Sequence, residues 1–267
     1  MISNTTIAPW SRRHRAIFLP CGMTFASVVN PALAADCTFE PQGEGRVIAV
    51  IDGRTFRLED GREVRLAGIE PVTTEKAKTN DADALTALVI NRDVTLRGES
   101  DSPDRYGRQP AFVFLDQSDG SVQELLLKQG RALVSPAISD KNCAARLHAA
   151  ETSARQAQQG VWRDPAAIQS AGNPGTILAR IGHFTVVEGK VLSVRETGAT
   201  TYINFGRRWT RDFAVTISRR MMPAFEAAGV AVKSLENRRI RVRGWIEARG
   251  GPRIEALRTG QIELLGD

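Results

Sequence analysis

The chain has 267 residues, 42% apolar and 25% charged, which excludes wholesale disorder and fits one large domain or two small ones. Its net charge of +6 is uneven: residues 1–35 carry 3 basic and no acidic groups, 36–182 carry 18 and 21, and 183–267 carry 15 and 9. A basic C-terminal third points to a polyanionic partner or, more plainly, to a solvated basic surface.

Residues 1–35 read as an export signal. Arg12, Arg13, His14 and Arg15 form a positive region, Ala16 to Val29 is mostly apolar, and Ala32-Leu33-Ala34 supplies the small residues a signal peptidase accepts. Pro20, Asn30 and Pro31 interrupt the segment, leaving fewer than the ~20 residues of a spanning helix. No stable membrane span is therefore expected after cleavage, and the destination is the periplasm or the extracellular space. Cys21 leaves with the leader, while Cys37 and Cys143 remain. In an oxidising compartment that pair is a candidate disulfide closing a loop of about 100 residues. Two unrelated buried thiols are the alternative.

A short arm, 36–43, precedes a strand at Arg46–Ile51. Asp52-Gly53 turns it into a second strand, Thr55–Leu58, and Asp60-Gly61 makes a hairpin into a third, Glu63–Ile69. Ala84, Leu85, Leu88 and Val89 fall at helical spacing and predict a helix over Asn80–Ile90. Short strands at Val94–Arg97 and Ala111–Leu115 flank a loop rich in Asp, Ser and Pro. Helices follow at Val122–Gln129 and Asn142–Gln159, the second stopped by Gly160. Residues 165–182, with Gly172-Asn173-Pro174-Gly175, read as a linker. Beyond it, Phe184–Val194, Thr201–Phe205 and Phe213–Ile217 are strand-like, Met222–Ala228 is helical, and Ile240–Ile246 and Arg253–Leu257 return to strand. That order, over 183–267, is the pattern of a small OB-like barrel.

Three motifs carry a resemblance: Asp52-Gly53-Arg54-Thr55, Arg65-Leu66-Ala67-Gly68-Ile69-Glu70 and Asp104-Arg105-Tyr106-Gly107-Arg108. They make residues 44–164 similar to the thermonuclease (staphylococcal nuclease) family, as do Leu125–Gly130 followed by Arg131-Ala132, and Val161-Trp162. The resemblance implies an OB-fold-type five-stranded barrel with packed helices. The fold class expected for the whole chain is thus mainly β with α (α+β), with the second small barrel at the C-terminus. The family hydrolyses phosphodiesters with one calcium ion, three acidic positions and two arginines. Here Arg65 and Arg108 match the two catalytic arginines and Glu70 matches a metal-binding acid, while Tyr106 joins the candidates for nucleic-acid contact.

Departures from the family pattern matter as much. Its turn reads Asp-Gly-Asp-Thr, and the second aspartate binds calcium; Arg54 stands there. Glu70 replaces the other aspartate, and Thr73 stands where the family carries its general-base glutamate, with Glu75 two residues further on. A guanidinium ~4 Å from a divalent ion is repelled by about 8 kcal/mol at an effective dielectric near 20. The expected cofactor set is therefore empty, with the calcium site lost and no metal ligand assigned. Arg54 then either pairs with Glu70 across the former metal position or extends into solvent. No His-Cys-Asp grouping has zinc spacing, and no phosphate-cradling glycine loop is present.

The C-terminal module offers Tyr202, Phe205 and Trp209 interleaved with Arg207, Arg208 and Arg211. Aromatics that stack bases among arginines that follow a phosphate backbone suit nucleic acid; partial burial of the three rings is the competing reading. Arg239, Arg241 and Arg243 alternate onto one face of a later strand, opposite Ile240 and Val242. The favoured function is an exported, thermonuclease-like protein that binds nucleic acid or another polyanion without calcium-dependent cleavage. Alternatives are a phosphodiesterase with an altered site using Glu70, Arg65 and Arg108, and an envelope scaffold for protein interactions.

Overall fold

The computed structural model describes residues 37, 39–72, 77–99, 102–116, 118 and 120–266, with only the backbone for 77–81. The expected leader, Thr73 and Glu75 lie outside the described residues. No described helix is long and apolar enough to cross a membrane.

Glu40–Asp52 (β1) runs as one long strand, so the expected arm already belongs to the sheet, with Glu40 and Pro41 opposite Gly98 and Arg97. Its register slips after Val47 and after Val50. Such bulges bend a strand and let it serve two neighbours. Thr55–Leu58 (β2) and Glu63–Leu66 (β3) follow by hairpins, and Ile69–Pro71 (β4) leaves the barrel. The single strand expected over Glu63–Ile69 breaks at Gly68, whose φ of +76° suits glycine. A Cβ there would also lie 2.8 Å from Ile138 and 2.9 Å from Leu147. Ala77–Val89 (α1), Asp93–Gly98 (β5) and Gln109–Leu115 (β6) complete a closed barrel in the order β1-β2-β3-β6-β5, with β3 and β6 parallel. Alternation fills it with Val47, Phe56, Leu58, Val64, Leu66, Leu96, Ala111 and Val113, all at most 1% exposed.

Val122–Lys128 (α2) starts at Ser121, whose side chain accepts from Glu124 N–H. Ala132–Val134 (β7), a strand the sequence did not announce, pairs antiparallel with β4. Lys141–Gln156 (α3) is capped by Asp140 and carries Cys143, which forms a disulfide with Cys37, 106 residues away.

The stretch expected as a linker contributes Ile168–Ser170 (β8) and Pro174–Leu178 (α4), and β8 pairs parallel with the next strand. Then come Phe184–Lys190 (β9), Ser193–Thr197 (β10), Thr200–Asn204 (β11), Ala214–Ser218 (β12) and Met222–Ala227 (α5). Arg239–Trp245 (β13), Glu247–Ala248 (β14), Pro252–Glu255 (β15) and Ile262–Leu264 (β16) end the fold. These strands form two sheets, β10-β11-β12-β15-β14 and β16-β13-β9-β8, where one small barrel was expected. The division falls where β9 passes into β10 and β13 into β14, at Val191 and Ile246, both buried. Their shared core holds Ile203, Phe213, Val215, Ile217, Phe225, Val242 and Ile254. A third apolar cluster joins Leu133, Ala154 and Trp162 to Phe184 and Val186 and fastens these sheets to the barrel helices.

Candidate functional site

Three local devices bring the motif residues together. In the β1–β2 turn, Arg54 N–H donates to Asp52 Oδ1 at 2.8 Å, and Arg54 C=O accepts from Leu66 N–H at 2.8 Å, fixing the turn to β3. Arg65 lies on the outward face of β3, opposite Thr55 and Pro110. The third device is the Asp104–Arg108 turn. Asp104 Oδ1 accepts from Tyr106 N–H at 2.9 Å and Arg108 N–H at 3.1 Å, and Gly107 takes the positive φ that closes it.

The side chains form a chain of alternating charge. Arg54 donates through a terminal guanidinium nitrogen to Glu70 Oε2. Glu70 Oε1 lies 3.6 Å from Arg65, which lies 3.7 Å from Asp104 Oδ2. Asp104 Oδ2 accepts from Arg108 Nε at 3.0 Å and Nη2 at 2.7 Å. Arg54 and Arg108 are therefore bonded to carboxylates, while Arg65 sits between two of them at longer range. Tyr106 projects from the turn, 65% exposed, with the Arg105 and Arg108 guanidinium groups 4.8 and 4.9 Å from its ring centre.

Electrostatics follow from burial and pairing. Burial raises the Glu70 carboxyl above its usual range, against the pull of Arg54 and Arg65. Burial lowers Arg65, and the neighbouring Arg54 charge adds to that. Burial would raise Asp104 too, but hydrogen bonds from the Arg108 side chain and from Tyr106 and Arg108 N–H hold it to about 2, against an ordinary 3.8. The bond to Asp104 raises Arg108 in turn.

Sequence reasoning named Arg54, Arg65, Glu70, Arg108 and Tyr106, which the fold assembles, and missed Asp104 and Asp52 as carboxylates of the same cluster. An aspartate four residues before an arginine with glycine between was the available signal for an Asx-type turn. The C-terminal candidates lie elsewhere, on β11 and the loop to Phe213. Tyr202 is half-buried and Trp209 is 76% exposed. Phe205 turns inward onto Phe213, ring centres 5.1 Å apart, and is spent on the core. The arginine face of β13 is covered at Arg241 and Arg243, while Arg239 stays exposed at the start of the strand. Arg243 is 1% exposed, with Nη2 donating to Glu151 Oε2 at 3.0 Å and Nη1 donating to Val134 C=O at 3.1 Å. Arg241 donates to Glu188 at 2.7 Å and to Glu263 at 3.0 Å.

A closed five-stranded barrel with packed helices and arginine–carboxylate pairs beside its β2–β3 strands defines a nuclease-type barrel domain. A model of the family described as staphylococcal nuclease homologue matches residues 63–164. The chain is 30% identical to an uncharacterized endonuclease of Escherichia coli O157:H7 over 139 residues, which is 50% of this chain and 82% of that protein. It is 25% identical to a thermonuclease of Staphylococcus hyicus over 157 residues, 55% of this chain and 92% of that protein. The chain belongs to the staphylococcal nuclease homologue family.

Proposed function

We propose that this protein is an exported member of its family that binds nucleic acid and does not cleave it with calcium. The observation that carries the reading is the Arg54–Glu70 ion pair. Calcium takes six to eight oxygen ligands. Here the oxygens at hand are already engaged: Glu70 by Arg54 and Arg65, Asp52 Oδ1 by Arg54 N–H, and Asp104 by Arg108. The donor set does not fit a calcium ion. Admitting one would require a guanidinium to leave its partner or stay beside a dication, and a cost of even ~4 kcal/mol weakens binding about a thousandfold. The Cys37–Cys143 disulfide supports an oxidising destination, in keeping with the leader-like start of the chain. Nucleic acid as the ligand rests on the nuclease names of the relatives and on exposed Tyr106 between two arginines.

A nuclease assay on the mature protein, with calcium and with chelator, tests this directly. No calcium-stimulated cleavage of single- or double-stranded DNA is expected; robust cleavage abolished by chelator overturns the reading. Changing Arg54→Asp, Glu70→Asp and Thr73→Glu together should restore calcium binding by calorimetry before it restores turnover, because turnover also requires a placed base.

A second reading has one observation in its favour. Arg65 lies beyond hydrogen-bonding range of both carboxylates, so its N–H groups remain able to grip a phosphate alongside Arg108. Slow, chelator-resistant phosphodiester cleavage lost in Arg65→Ala would identify an altered enzyme.

A further inference from the structure

We propose a single-strand nucleic-acid site on the C-terminal sheets, where the loop between β11 and β12 meets the loop between β14 and β15. It rests on the nucleic-acid-binding reading above and narrows it to one surface and one class of ligand. Trp209 is the stacking platform, Arg207, Arg208, Arg211 and Arg249 hold phosphates, and Tyr202 stands further along the outward face of β11.

The first loop is a built turn. Asp212 Oδ2 accepts from Arg208 N–H at 2.8 Å, and Arg208 C=O accepts from Arg211 and Asp212 N–H at 2.9 and 2.7 Å. The second loop fits against it backbone to backbone. A Cβ on Gly251 would lie 3.0 Å from Asp212 C=O and 3.3 Å from Arg211, and one on Gly250 would lie 3.9 Å from the Trp209 ring. Trp209 therefore has a fixed neighbour at its edge and still leaves 76% of itself to solvent. An indole held out in this way offers a face to a ligand at little ordering cost.

Charge completes the argument. Two arginines of this half are consumed, Arg241 and Arg243, by Glu188, Glu263 and Glu151. Arg195, Arg220 and Arg238 are without a carboxylate partner among the described residues, and what sets the loop apart is the open indole beside its arginines. Among the described residues no carboxylate pairs with Arg207, Arg208 or Arg211, and Arg249 reaches only Glu247, at 4.0 Å. The one acid in the loop, Asp212, spends an oxygen on Arg208 N–H. Unpaired guanidinium groups around an open indole suit phosphates linked to unstacked bases. A duplex hides its base faces, and a bare polyanion has none, so a single strand is the ligand that uses both features. Register extends the path: Tyr202 and Asn204 point outward from β11 while Thr201 and Ile203 are buried, placing Tyr202 two residues below the loop.

Fluorescence anisotropy on the mature full chain tests the site, with labelled oligothymidylate, the same length of duplex, and inorganic polyphosphate as competitor. The single strand should bind and quench tryptophan emission. Trp209→Ala should weaken it about 5- to 150-fold and leave the salt slope unchanged, with Trp209→Phe close to the parent. Changing Arg207, Arg208 and Arg211 to Ala should flatten that slope. Circular dichroism checks that the variants stay folded. Trp209→Ala binding like the parent, or duplex and polyphosphate competing as well as the single strand, overturns the proposal. If Arg65→Ala with Arg108→Ala abolishes binding while Trp209→Ala does not, the ligand sits on the barrel: this site falls and nucleic-acid binding stands. No binding of any nucleic acid at low salt removes both.

Discussion

The barrel and the C-terminal sheets connect their strands in the same order. With β9–β10 and β13–β14 each taken as one bent strand, and β4 and β8 left aside, three strands meander in each, a helix follows, the fourth strand pairs with the first, and the fifth runs parallel to the third: Val64 opposite Gln109 in one, Ala214 opposite Arg253 in the other. They differ in how arginines are used. The barrel keeps Arg54, Arg65 and Arg108 in a shared cluster with Asp52, Glu70 and Asp104, three charges against three. The C-terminal half buries Arg243 against Glu151 of the barrel side and Arg241 against its own Glu188 and Glu263, and leaves others without a carboxylate partner, three of them on the loop that carries Trp209. Net charge therefore does not locate a binding surface. The +6 of residues 183–267 is distributed between structural ion pairs and free groups, and only the latter are available to a polyanion.

The largest expected effect breaks the barrel and leaves the C-terminal sheets intact at the covalent level. The disulfide ties the start of β1 to α3 across 106 residues. Cys37→Ser with Cys143→Ser should lower stability by up to ~4–5 kcal/mol, read by urea denaturation. Mass spectrometry of exported protein should find the two thiols linked; two free thiols would remove both the bridge and part of the case for export.

Next in size is the joint between the regions. Glu151 and Arg243 are each 1% exposed, and burial, which opposes the Glu151 charge, is outweighed by Arg243. Glu151→Ala leaves the buried Arg243 guanidinium with only Val134 C=O and the more distant Glu263, 3.7 Å away, and should cost about 3 kcal/mol, whereas Glu151→Leu with Arg243→Met should recover most of it. A stability loss under ~1 kcal/mol for the single change would mean the joint opens to water. For the same reason an isolated 183–267 segment should fold poorly: it lacks Glu151 for Arg243, β8 for β9, and Leu133 and Trp162 for Phe184.

Much of the barrel was legible because its cues are local. Hydrophobic alternation, Asp-Gly turns and helical spacing of apolar residues act within a few residues, and the motif arginines converge because β2, β3 and β6 are neighbours. What escaped depends on contacts distant in sequence. β7 has three residues and exists through its pairing with β4, and the break at Gly68 is set by Ile138 and Leu147. The arginines of β13 do share a face, as alternation required, yet alternation cannot say that α3 covers it. Trp209 and Phe205 are four residues apart with similar composition around them, and only the turn closed by Asp212 separates a solvent-facing ring from a core one.

The smallest effect separates the two carboxylates at the centre of the barrel site, which should titrate in opposite senses. Asp104 is held to about 2 from an ordinary 3.8, so its contribution to stability is complete above 3.8 and disappears as pH falls through about 2. Glu70 is shifted upward from 4.5, so the folded state takes up its proton first, and acidification toward 4.5 relieves a penalty present at neutral pH. Denaturation curves for Asp104→Asn should accordingly show a shallower loss between pH 4 and 2 than the parent. Those for Glu70→Gln should lack the parent's gain as pH falls toward 4.5. Asp104→Asn also replaces the oxygen that accepts from Arg108 Nε and Nη2, freeing that guanidinium, while the remaining amide oxygen still accepts from Tyr106 and Arg108 N–H, so phosphate affinity at neutral pH should rise with the turn kept. If both variants instead follow the parent curve at every pH, the carboxylates are solvated and the alternating chain of charge does not persist in solution.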